Sequence, residues 1–359
     1  MTVYNFAAGP ATLPNEVINK IQAELPSLEG SGMSILEISH RSTLFDNIIN
    51  GAQEDLRDLM AIPDNYEVLF FQGGGTGQFA AVPLNLATDH HRIALLDSGH
   101  WADRAAKEAA NLGITVDTLA TTKADHYQEL PVLPAPLATD TYDYLHITTN
   151  NTIEGTAYHD LPETNGTVLV GDMSSNITAQ RYNVSDFGLI FAGVQKNIGP
   201  AGVTIVIVRK DLIKEIPHLP SILNYDLFAK KNSMYNTPAV FSIYATGLVL
   251  KWIKENGGVD EMQQRNEKKA SLLYDYLDHS KLFHNNVKPA DRSLTNVPFM
   301  TGDEDLDKAA IADMTAHGLM SLKGHRSVGG LRASLYNAMP FDGVQALVNE
   351  LYTFERAHV

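Results

Sequence analysis

The strongest constraint in this 359-residue sequence is a stretch in which a strand-like apolar run ends at a glycine and a single lysine follows. The run 187–192 is typical of a strand inside a core, Gly193 interrupts it, and Lys196 precedes a second apolar run that begins at Val203. A lysine at the edge of a core is poorly solvated, which lowers its pKa and leaves a neutral amine able to condense with a carbonyl group. A lone loop lysine is more often an ordinary surface residue, so the interpretation depends on other motifs.

Two further motifs indicate a ligand site. The β-branched run 167–170 leads to Asp172, which places a carboxylate at the end of a short strand. The predicted strand 66–71 runs directly into the glycine turn 73–77, after which a helix begins. Free N–H groups and the positive end of a helix dipole at such a turn commonly bind a phosphate. The turn matches neither a Walker motif nor the G-x-G-x-x-G spacing, and a simple tight turn would explain it equally well.

Strands and helices alternate along the first half of the chain. Strands are predicted at 92–97, 115–120 and 144–149. This alternation favours an α/β fold with a mostly parallel sheet covered by helices on both faces. Such sheets bind ligands at the carboxyl ends of their strands. Three candidate residues follow predicted strand ends: Thr152, Asp172 and Lys196.

The composition excludes several classes of function. A formal net charge of -15 disfavours nucleic acid and anionic membranes as partners, because both require a basic surface. The chain contains no cysteine, which removes disulfides, thiolate metal sites and cysteine nucleophiles, and we expect no bound metal. Neither a targeting pattern nor an apolar run of membrane-spanning length is present, so we expect a cytoplasmic protein. Any anionic substrate must therefore meet cations that the fold gathers locally.

The motifs together resemble one enzyme family over essentially the full length of the chain. Asp172, Lys196, the glycine turn 73–77 and the C-terminal stretch 324–334 are similar to the phosphoserine-forming branch of the class V aminotransferases. These enzymes depend on pyridoxal 5′-phosphate (PLP), in which an aspartate pairs with the ring nitrogen and a lysine carries the cofactor. The resemblance implies PLP as the cofactor of this chain.

The resemblance also implies the architecture. It predicts a fold-type I PLP-dependent transferase, with a mostly parallel sheet flanked by helices in a large domain and a smaller α+β domain at the C-terminus. The length is consistent with this, since 359 residues exceed one ordinary hydrophobic core. The expected parts are an N-terminal arm at 1–15, a large PLP-binding domain at 16–255 and a small domain at 256–359.

Within one subunit, the resemblance assigns four residues to the cofactor ring. Lys196 forms the Schiff base with PLP and later acts as general base and acid. Asp172 keeps the pyridinium nitrogen protonated. Trp101 stands at a strand-to-helix turn, where it could equally be a core residue, and corresponds to the aromatic residue that stacks on the ring. Thr152 corresponds to the residue that contacts the phenolic oxygen.

The cofactor phosphate is expected to be bound by two subunits. The resemblance assigns to it Gly75, Thr76 and Gln195 from one chain, and Asn236 and Thr237 from the neighbouring chain. The active sites are thus implied to be shared in a homodimer. An alternative for Asn236-Thr237-Pro238 is the start of a helix, with Thr237 as its N-cap.

For the substrate, the resemblance places Arg332 on the α-carboxylate, since a guanidinium binds a carboxylate bidentately. Four residues match positions around the side-chain phosphate or carboxylate, as two pairs from different subunits: His40 with Arg41, and His325 with Arg326. Two residues depart from the family pattern. Ala8 stands where many relatives have serine, and Thr76 stands where some relatives have a phosphate-binding arginine, which leaves the strength of phosphate binding open.

The implied reaction transfers the amino group of L-glutamate to 3-phosphohydroxypyruvate, giving O-phospho-L-serine and 2-oxoglutarate. The 4-phosphohydroxy-L-threonine reaction of vitamin B6 synthesis is an open addition. One alternative is a class V aminotransferase acting on serine or alanine with glyoxylate or pyruvate, although these lack a phosphate for the His/Arg cluster. Another is a nucleotide-binding module with Lys196 as a phosphate clamp, which would be colourless.

Overall fold

The structure is a computed structural model that describes residues 2–359. Its helices are α1 (Asn15–Glu24), α2 (Thr43–Met60), α3 (Gly74–Leu86), α4 (His100–Asn111), α5 (Tyr225–Lys230), α6 (Val240–Glu255), α7 (Gly258–His279), α8 (Glu304–Ala316) and α9 (Phe341–His358). Its strands are β1 (Tyr4–Asn5), β2 (Tyr66–Phe71), β3 (Arg92–Asp97), β4 (Thr115–Thr121), β5 (Leu145–Thr148), β6 (Leu169–Asp172), β7 (Leu189–Gly193), β8 (Thr204–Arg209), β9 (Asn296–Phe299), β10 (Leu319–Met320) and β11 (Leu331–Ser334). Within residues 2–359, no helix has the length and apolar character needed to cross a membrane.

Seven strands form the central sheet, in the order β2-β8-β7-β6-β5-β3-β4. Strand β8 is antiparallel to both of its neighbours, and the remaining pairs are parallel. The prediction of a mostly parallel sheet is therefore confirmed. Parallel strands are covered by helices on both faces, which explains why an inner strand such as β7 is a continuous apolar run, whereas the edge strand β4 is partly exposed and mixes polar and apolar residues.

Each face of the sheet packs into its own hydrophobic core. Along β8, Ile205 belongs to the core that includes Phe45 of α2, whereas the next residue, Val206, belongs to the core that includes Phe79 of α3. Successive side chains of a strand point to opposite faces, so one apolar run serves both cores. Packing on both faces holds the ends of the strands in place, and with them the loops that follow.

A separate core forms near the C-terminus. Strands β9 and β11 pair in antiparallel fashion, and their buried residues pack with those of α7, α8 and α9. Strand β1 pairs with β10, and Phe6 is fully buried in this same core. The arm predicted at 1–15 is therefore extended at its start and is anchored to the C-terminal part of the chain. Helix α7 contributes to two cores, through Val259 and Leu273 respectively. The domain bounds 16–255 and 256–359 stay a prediction.

A buried lysine ties α7 to the turn that follows β11. The Lys269 side chain is 2% exposed, and its Nζ donates hydrogen bonds to the carbonyl oxygens of Leu335 (2.8 Å), Tyr336 (2.7 Å) and Met339 (3.0 Å). Burial lowers the pKa of Lys269 to about 7, but three carbonyl acceptors match the three donors of an ammonium group. We therefore assign the ammonium form, which holds α7 against the C-terminal segment.

We predict that Lys269→Met lowers the free energy of unfolding by more than about 2 kcal/mol. The substitution leaves the buried carbonyl groups of Leu335 and Met339 without donors, whereas that of Tyr336 keeps the backbone N–H of Met339, and each lost donor costs about 1–3 kcal/mol. The exposed neighbour Lys268 provides a matched control, since Lys268→Met should change stability by less than about 0.5 kcal/mol. Urea unfolding of both variants measures the difference, and equal stabilities would contradict the assignment.

Candidate active site

A cavity of about 260 Å³ opens where several strands of the central sheet end. Its lining includes Asp172 at the end of β6 and Lys196 in the loop after β7. The sequence-predicted residues that the cavity brings together are Gly75, Thr76, Trp101, Thr152, Asp172, Gln195, Lys196, His325 and Arg332. The carboxyl edge of a parallel sheet is the usual place for a ligand in this type of fold.

Lys196 is held by a hydroxyl group and an aromatic ring. Its Nζ donates a hydrogen bond to Thr152 Oγ1 at 2.7 Å and lies 5.3 Å from the centre of the Trp101 ring. Burial lowers the pKa of Lys196 to about 8, the charge of Asp172 acts in the opposite direction, and Arg332 lowers the pKa further. The amine is therefore uncharged at a much lower pH than that of an ordinary lysine, and a neutral amine can attack a carbonyl group.

Asp172 places a negative charge inside the cavity. The residue is only 5% exposed, and its Oδ1 accepts a hydrogen bond from the backbone N–H of Ser174 at 2.9 Å. Within the described residues, Oδ2 has no hydrogen-bond partner in the protein, which leaves it available to a ligand. On the adjacent strand β5, burial lowers the pKa of His146 to about 4, and the charge of Asp172 raises it. A neutral imidazole thus lies close to the carboxylate.

The glycine turn forms a cradle at the start of α3. Gly73 precedes the helix with φ of 101°, a left-handed conformation that favours glycine. A Cβ atom at Gly75 would lie 3.3 Å from Ser174 Oγ, and this oxygen already accepts a hydrogen bond from the backbone N–H of Gly193 at 3.1 Å. The first N–H groups of a helix lack partners within it, so this turn can bind an anionic group.

Arginine and histidine side chains form the opposite part of the cavity. Arg332 Nη1 donates to the carbonyl oxygen of Thr152 at 3.3 Å, and burial lowers the pKa of Arg332. The ring of His325 lies 5.6 Å from the ring of His100, centre to centre. Burial lowers the pKa of both histidines, and the charge of Arg326 lowers it further. This cluster can accept a strongly anionic ligand.

Five predicted site residues do not line the cavity of this chain: His40, Arg41, Asn236, Thr237 and Arg326. Arg326 is exposed in the loop that carries His325. The alternative of a helix start at Asn236-Thr237-Pro238 is wrong, because α6 begins at Val240 with Ala239 as its N-cap residue. The carbonyl oxygen of Thr237 instead accepts a hydrogen bond from Gln72, the residue before the glycine turn, at 2.9 Å. The roles of the five residues stay predictions.

Sequence reasoning missed the contact of the N-terminal arm with Lys196, although it singled out Ala8 as a departure from the family pattern. A Cβ atom at Gly9 would lie 3.1 Å from Lys196 Cγ, so the N-terminal arm packs directly on the lysine. Ala8 and Gly9 both line the cavity, and the backbone N–H of Ala11 donates to the carbonyl oxygen of Gln195 at 3.0 Å. The Gly9-Pro10 dipeptide signals only a turn, and nothing in it indicates a contact with a lysine far along the chain.

Comparisons with known proteins agree with this geometry. Residues 3–347 match the family model described as aminotransferase class V. The chain is 70% identical over 358 residues to the phosphoserine aminotransferase of Lactobacillus helveticus (strain DPC 4571), covering 100% of this chain and 96% of that one. Among solved structures, the phosphoserine aminotransferase of Bacillus circulans subsp. alkalophilus matches with a TM-score of 0.97 and 45% identity, over 100% of this chain and 99% of that one. The PLP-bound enzyme of Trichomonas vaginalis matches with a TM-score of 0.92 and 36% identity, over 98% of this chain and 100% of that one.

The buried lysine, the carboxylate and the glycine cradle on a mostly parallel sheet define a fold-type I PLP-dependent enzyme. The chain belongs to the class V aminotransferases and, within that family, to the phosphoserine aminotransferases. It is a PLP-dependent transaminase. The predicted fold class and cofactor are therefore confirmed, and the alternative of a nucleotide-binding module is wrong.

The residues that line the cavity fit the chemistry of PLP. When bound, PLP supplies an electron-withdrawing ring that stabilises negative charge on the carbon next to the substrate nitrogen. The open face of Gly75 and the first N–H groups of α3 could hold its phosphate, and Asp172 could keep its ring nitrogen protonated. Lys196, whose Nζ is held in place by Thr152 Oγ1, would hold the cofactor and would move a proton at the substrate carbon.

We predict that the rate of PLP attachment to the cofactor-free protein rises with pH and levels off above about 8. The neutral amine is the reactive form, and the pKa of Lys196 is lowered from 10.5 to about 8. In Asp172→Asn the midpoint should move to lower pH, because the Asp172 charge raises that pKa. Stopped-flow absorbance measures the rates, with Lys196→Ala as the baseline and the exposed Asp211→Asn as the matched control. A midpoint near the ordinary lysine value would contradict the account.

Proposed function

We propose that this chain transfers the amino group of L-glutamate to 3-phosphohydroxypyruvate, giving O-phospho-L-serine and 2-oxoglutarate. The observation that carries the proposal is the cationic cluster beside Lys196. Arg332 and His325 line the cavity, and His100 and Arg326 lie close enough to affect their electrostatics. A ketone carbon placed near Lys196 would therefore have cations on one side to bind its anionic groups.

The charge of the whole chain strengthens this argument. A phosphorylated keto acid carries roughly three negative charges at neutral pH, counting about two for the phosphate and one for the carboxylate. A protein with a formal net charge of -15 repels such a substrate unless cations are concentrated at the site. A bound phosphate would also favour the protonated form of His325 and His100, because an opposite charge raises the pKa of an imidazole.

The geometry of the cluster supports a role for each residue. Arg332 is half-buried next to Thr152, whose hydroxyl accepts from Lys196, which supports binding of the carboxylate next to the reacting carbon by its guanidinium. His325 is less buried than Arg332 and is supported by a hydrogen bond between its Nδ1 and Ser327 Oγ at 2.7 Å. Pyruvate and glyoxylate would occupy the Arg332 position only, leaving His325 and Arg326 without an anion to bind. This disfavours the alternative of a serine or alanine transaminase.

We also propose a homodimer with shared active sites. Asn236 and Thr237 match positions that the family delivers to the neighbouring cofactor, and neither lines the cavity of its own chain. His40 and Arg41 match positions around the side-chain phosphate or carboxylate of the substrate, and neither of them lines the cavity of its own chain. A cytoplasmic location and the 4-phosphohydroxy-L-threonine reaction remain part of the proposal.

We predict that Arg41→Ala and Arg326→Ala each weaken binding of 3-phosphohydroxypyruvate by roughly one to two powers of ten. A hydrogen bond to a charged group contributes about 1.5–3 kcal/mol, and 1.36 kcal/mol corresponds to a factor of ten. The loss should be much smaller for unphosphorylated keto acids. Steady-state kinetics with glutamate as the donor measures the effect, and Arg356→Ala, an exposed arginine of α9, is the control. Equal losses for both kinds of acceptor would contradict the proposal.

A second prediction tests the shared sites. Mixing Lys196→Ala chains with Asn236→Ala chains should restore activity, because one site of each hybrid dimer keeps both residues intact. Lys196→Ala mixed with Asp172→Ala is the matched control and should stay inactive, since both residues line the same cavity. Activity measured after proven subunit exchange decides the matter, and no recovery in the first mixture would exclude a site that needs Asn236 of the other chain.

A further inference from the structure

Glu154 connects the two segments that flank Lys196. It follows Thr152 in the loop after β5, and its Oε1 accepts a hydrogen bond from the backbone N–H of His100, the first residue of α4, at 2.9 Å. The side chain is 8% exposed although it belongs to a polar loop. A carboxylate is thus buried at the start of a helix that comes from a different part of the chain.

Helix α4 has no cap of its own, and Glu154 supplies one. The N-cap residue is Gly99, and no side chain at that position accepts a hydrogen bond. Gly99 has φ of 154°, and a Cβ atom there would lie 2.6 Å from Glu154 Oε2. Any larger residue would therefore displace the carboxylate. A carboxylate at a helix N-terminus satisfies a free N–H group and interacts favourably with the helix dipole.

The two segments joined by Glu154 carry the groups that contact Lys196. Trp101, the second residue of α4, places its ring 5.3 Å from Lys196 Nζ. Thr152 accepts the hydrogen bond from Nζ at 2.7 Å, and its carbonyl oxygen accepts from Arg332. A shift of α4 relative to the Thr152 loop would therefore move the indole ring relative to the lysine.

The charge state of this cap is sensitive to its surroundings. Burial raises the pKa of Glu154 to about 6, the hydrogen bond from the His100 backbone lowers it, Asp97 raises it, and Arg332 lowers it. Tyr127 also faces Glu154, and the carboxylate helps to raise the pKa of that phenol. Within the described residues, Glu154 Oε2 has no hydrogen-bond partner. The carboxylate is therefore charged above about pH 6 and becomes a weaker acceptor below it.

We propose that Glu154 is a positioning residue, whose carboxylate caps α4 from the Thr152 loop and thereby fixes Trp101 against Lys196 in the cofactor site. The residue does not line the cavity that Asp172 lines, so it acts on the site through Trp101 and Thr152 and through its charge, which raises the pKa of Lys196. Its effect falls on the cofactor and not on one particular substrate. Both amino donor and amino acceptor should therefore be affected equally.

The test uses the PLP-loaded enzyme with Trp252→Phe as background, which leaves Trp101 as the single tryptophan. We expect quenching of Trp101 emission by the cofactor to change as the pH falls through about 6, since Glu154 then becomes protonated. His100, whose ring lies 5.1 Å from the Trp101 ring, also titrates in this range, so Glu154→Gln, of the same shape but without the charge, should lose the Glu154 part of the transition and keep only the His100 part. Its affinity for PLP, measured by equilibrium dialysis, should fall about 2- to 30-fold, the range that a negative charge at a helix N-terminus contributes.

Two further variants separate positioning from simple stability. Gly99→Ala disturbs the same contact, because the added Cβ atom would displace the Glu154 carboxylate. It should reproduce the effects of Glu154→Gln, and the double variant should show no further loss. Glu163→Gln alters an exposed acid further along the chain and should match the parent protein. The kcat/KM values for glutamate and for the keto acid should fall by the same factor in Glu154→Gln.

Specific results would overturn the proposal. Trp101 quenching and PLP affinity that match the parent in Glu154→Gln at every pH, with only a lower melting temperature, would show a purely stabilising role. A loss confined to one of the two substrates would show that Glu154 acts on substrate binding. The emission and PLP readouts do not depend on which keto acid is used, so their failure is distinct from failure of the proposed reaction.

Discussion

The poor solvation of the Lys196 amine is the constraint on which the active site depends. One hydroxyl group, on Thr152, and one indole ring, of Trp101, replace the water that an exposed ammonium would have. Burial therefore lowers the pKa to about 8, and the charge of Asp172 limits this shift. The balance matters because an amine must be neutral to attack a carbonyl group, and a lysine in the role proposed for Lys196 must still accept and return a proton. The sheet makes this balance possible because β6 and β7 are neighbouring parallel strands, so that Asp172 and Lys196 follow strand ends that lie side by side.

The same site must attract anions to an acidic protein. The chain solves this by separating its charges: Arg332 and His325 lie at the cavity, while many surface acids pair with lysines and arginines elsewhere, such as Asp260 with Arg181. Surface pairs of this kind contribute little to stability. In its proposed role, the half-buried Arg332 would interact more strongly with a substrate carboxylate, because its surroundings screen charge less than water does. Local geometry, rather than net charge, therefore decides what this enzyme can bind.

The sequence was sufficient for the features that depend on local pattern. Long apolar runs such as that at β8 predicted buried strands, and Asp172 and Lys196 followed strand ends that the fold places together. Contacts between distant segments could not be read in this way. Glu154 looks like a surface acid until Gly99 is placed against it, and Lys269 is indistinguishable in type from its exposed neighbour Lys268. Residues expected to act across subunits, such as Asn236, require a second chain for their test.

The most direct test of this account is to locate the cofactor on the chain. The PLP-loaded protein is reduced with borohydride, digested and mapped by mass spectrometry, so that the modified lysine is identified. The account predicts one pyridoxyl group per chain, on Lys196. The other buried lysine with a lowered pKa, Lys269, donates to three carbonyl groups away from Asp172 and should stay unmodified. A cofactor found on Lys269, or on any lysine other than Lys196, would contradict the assignment of this cavity as the active site.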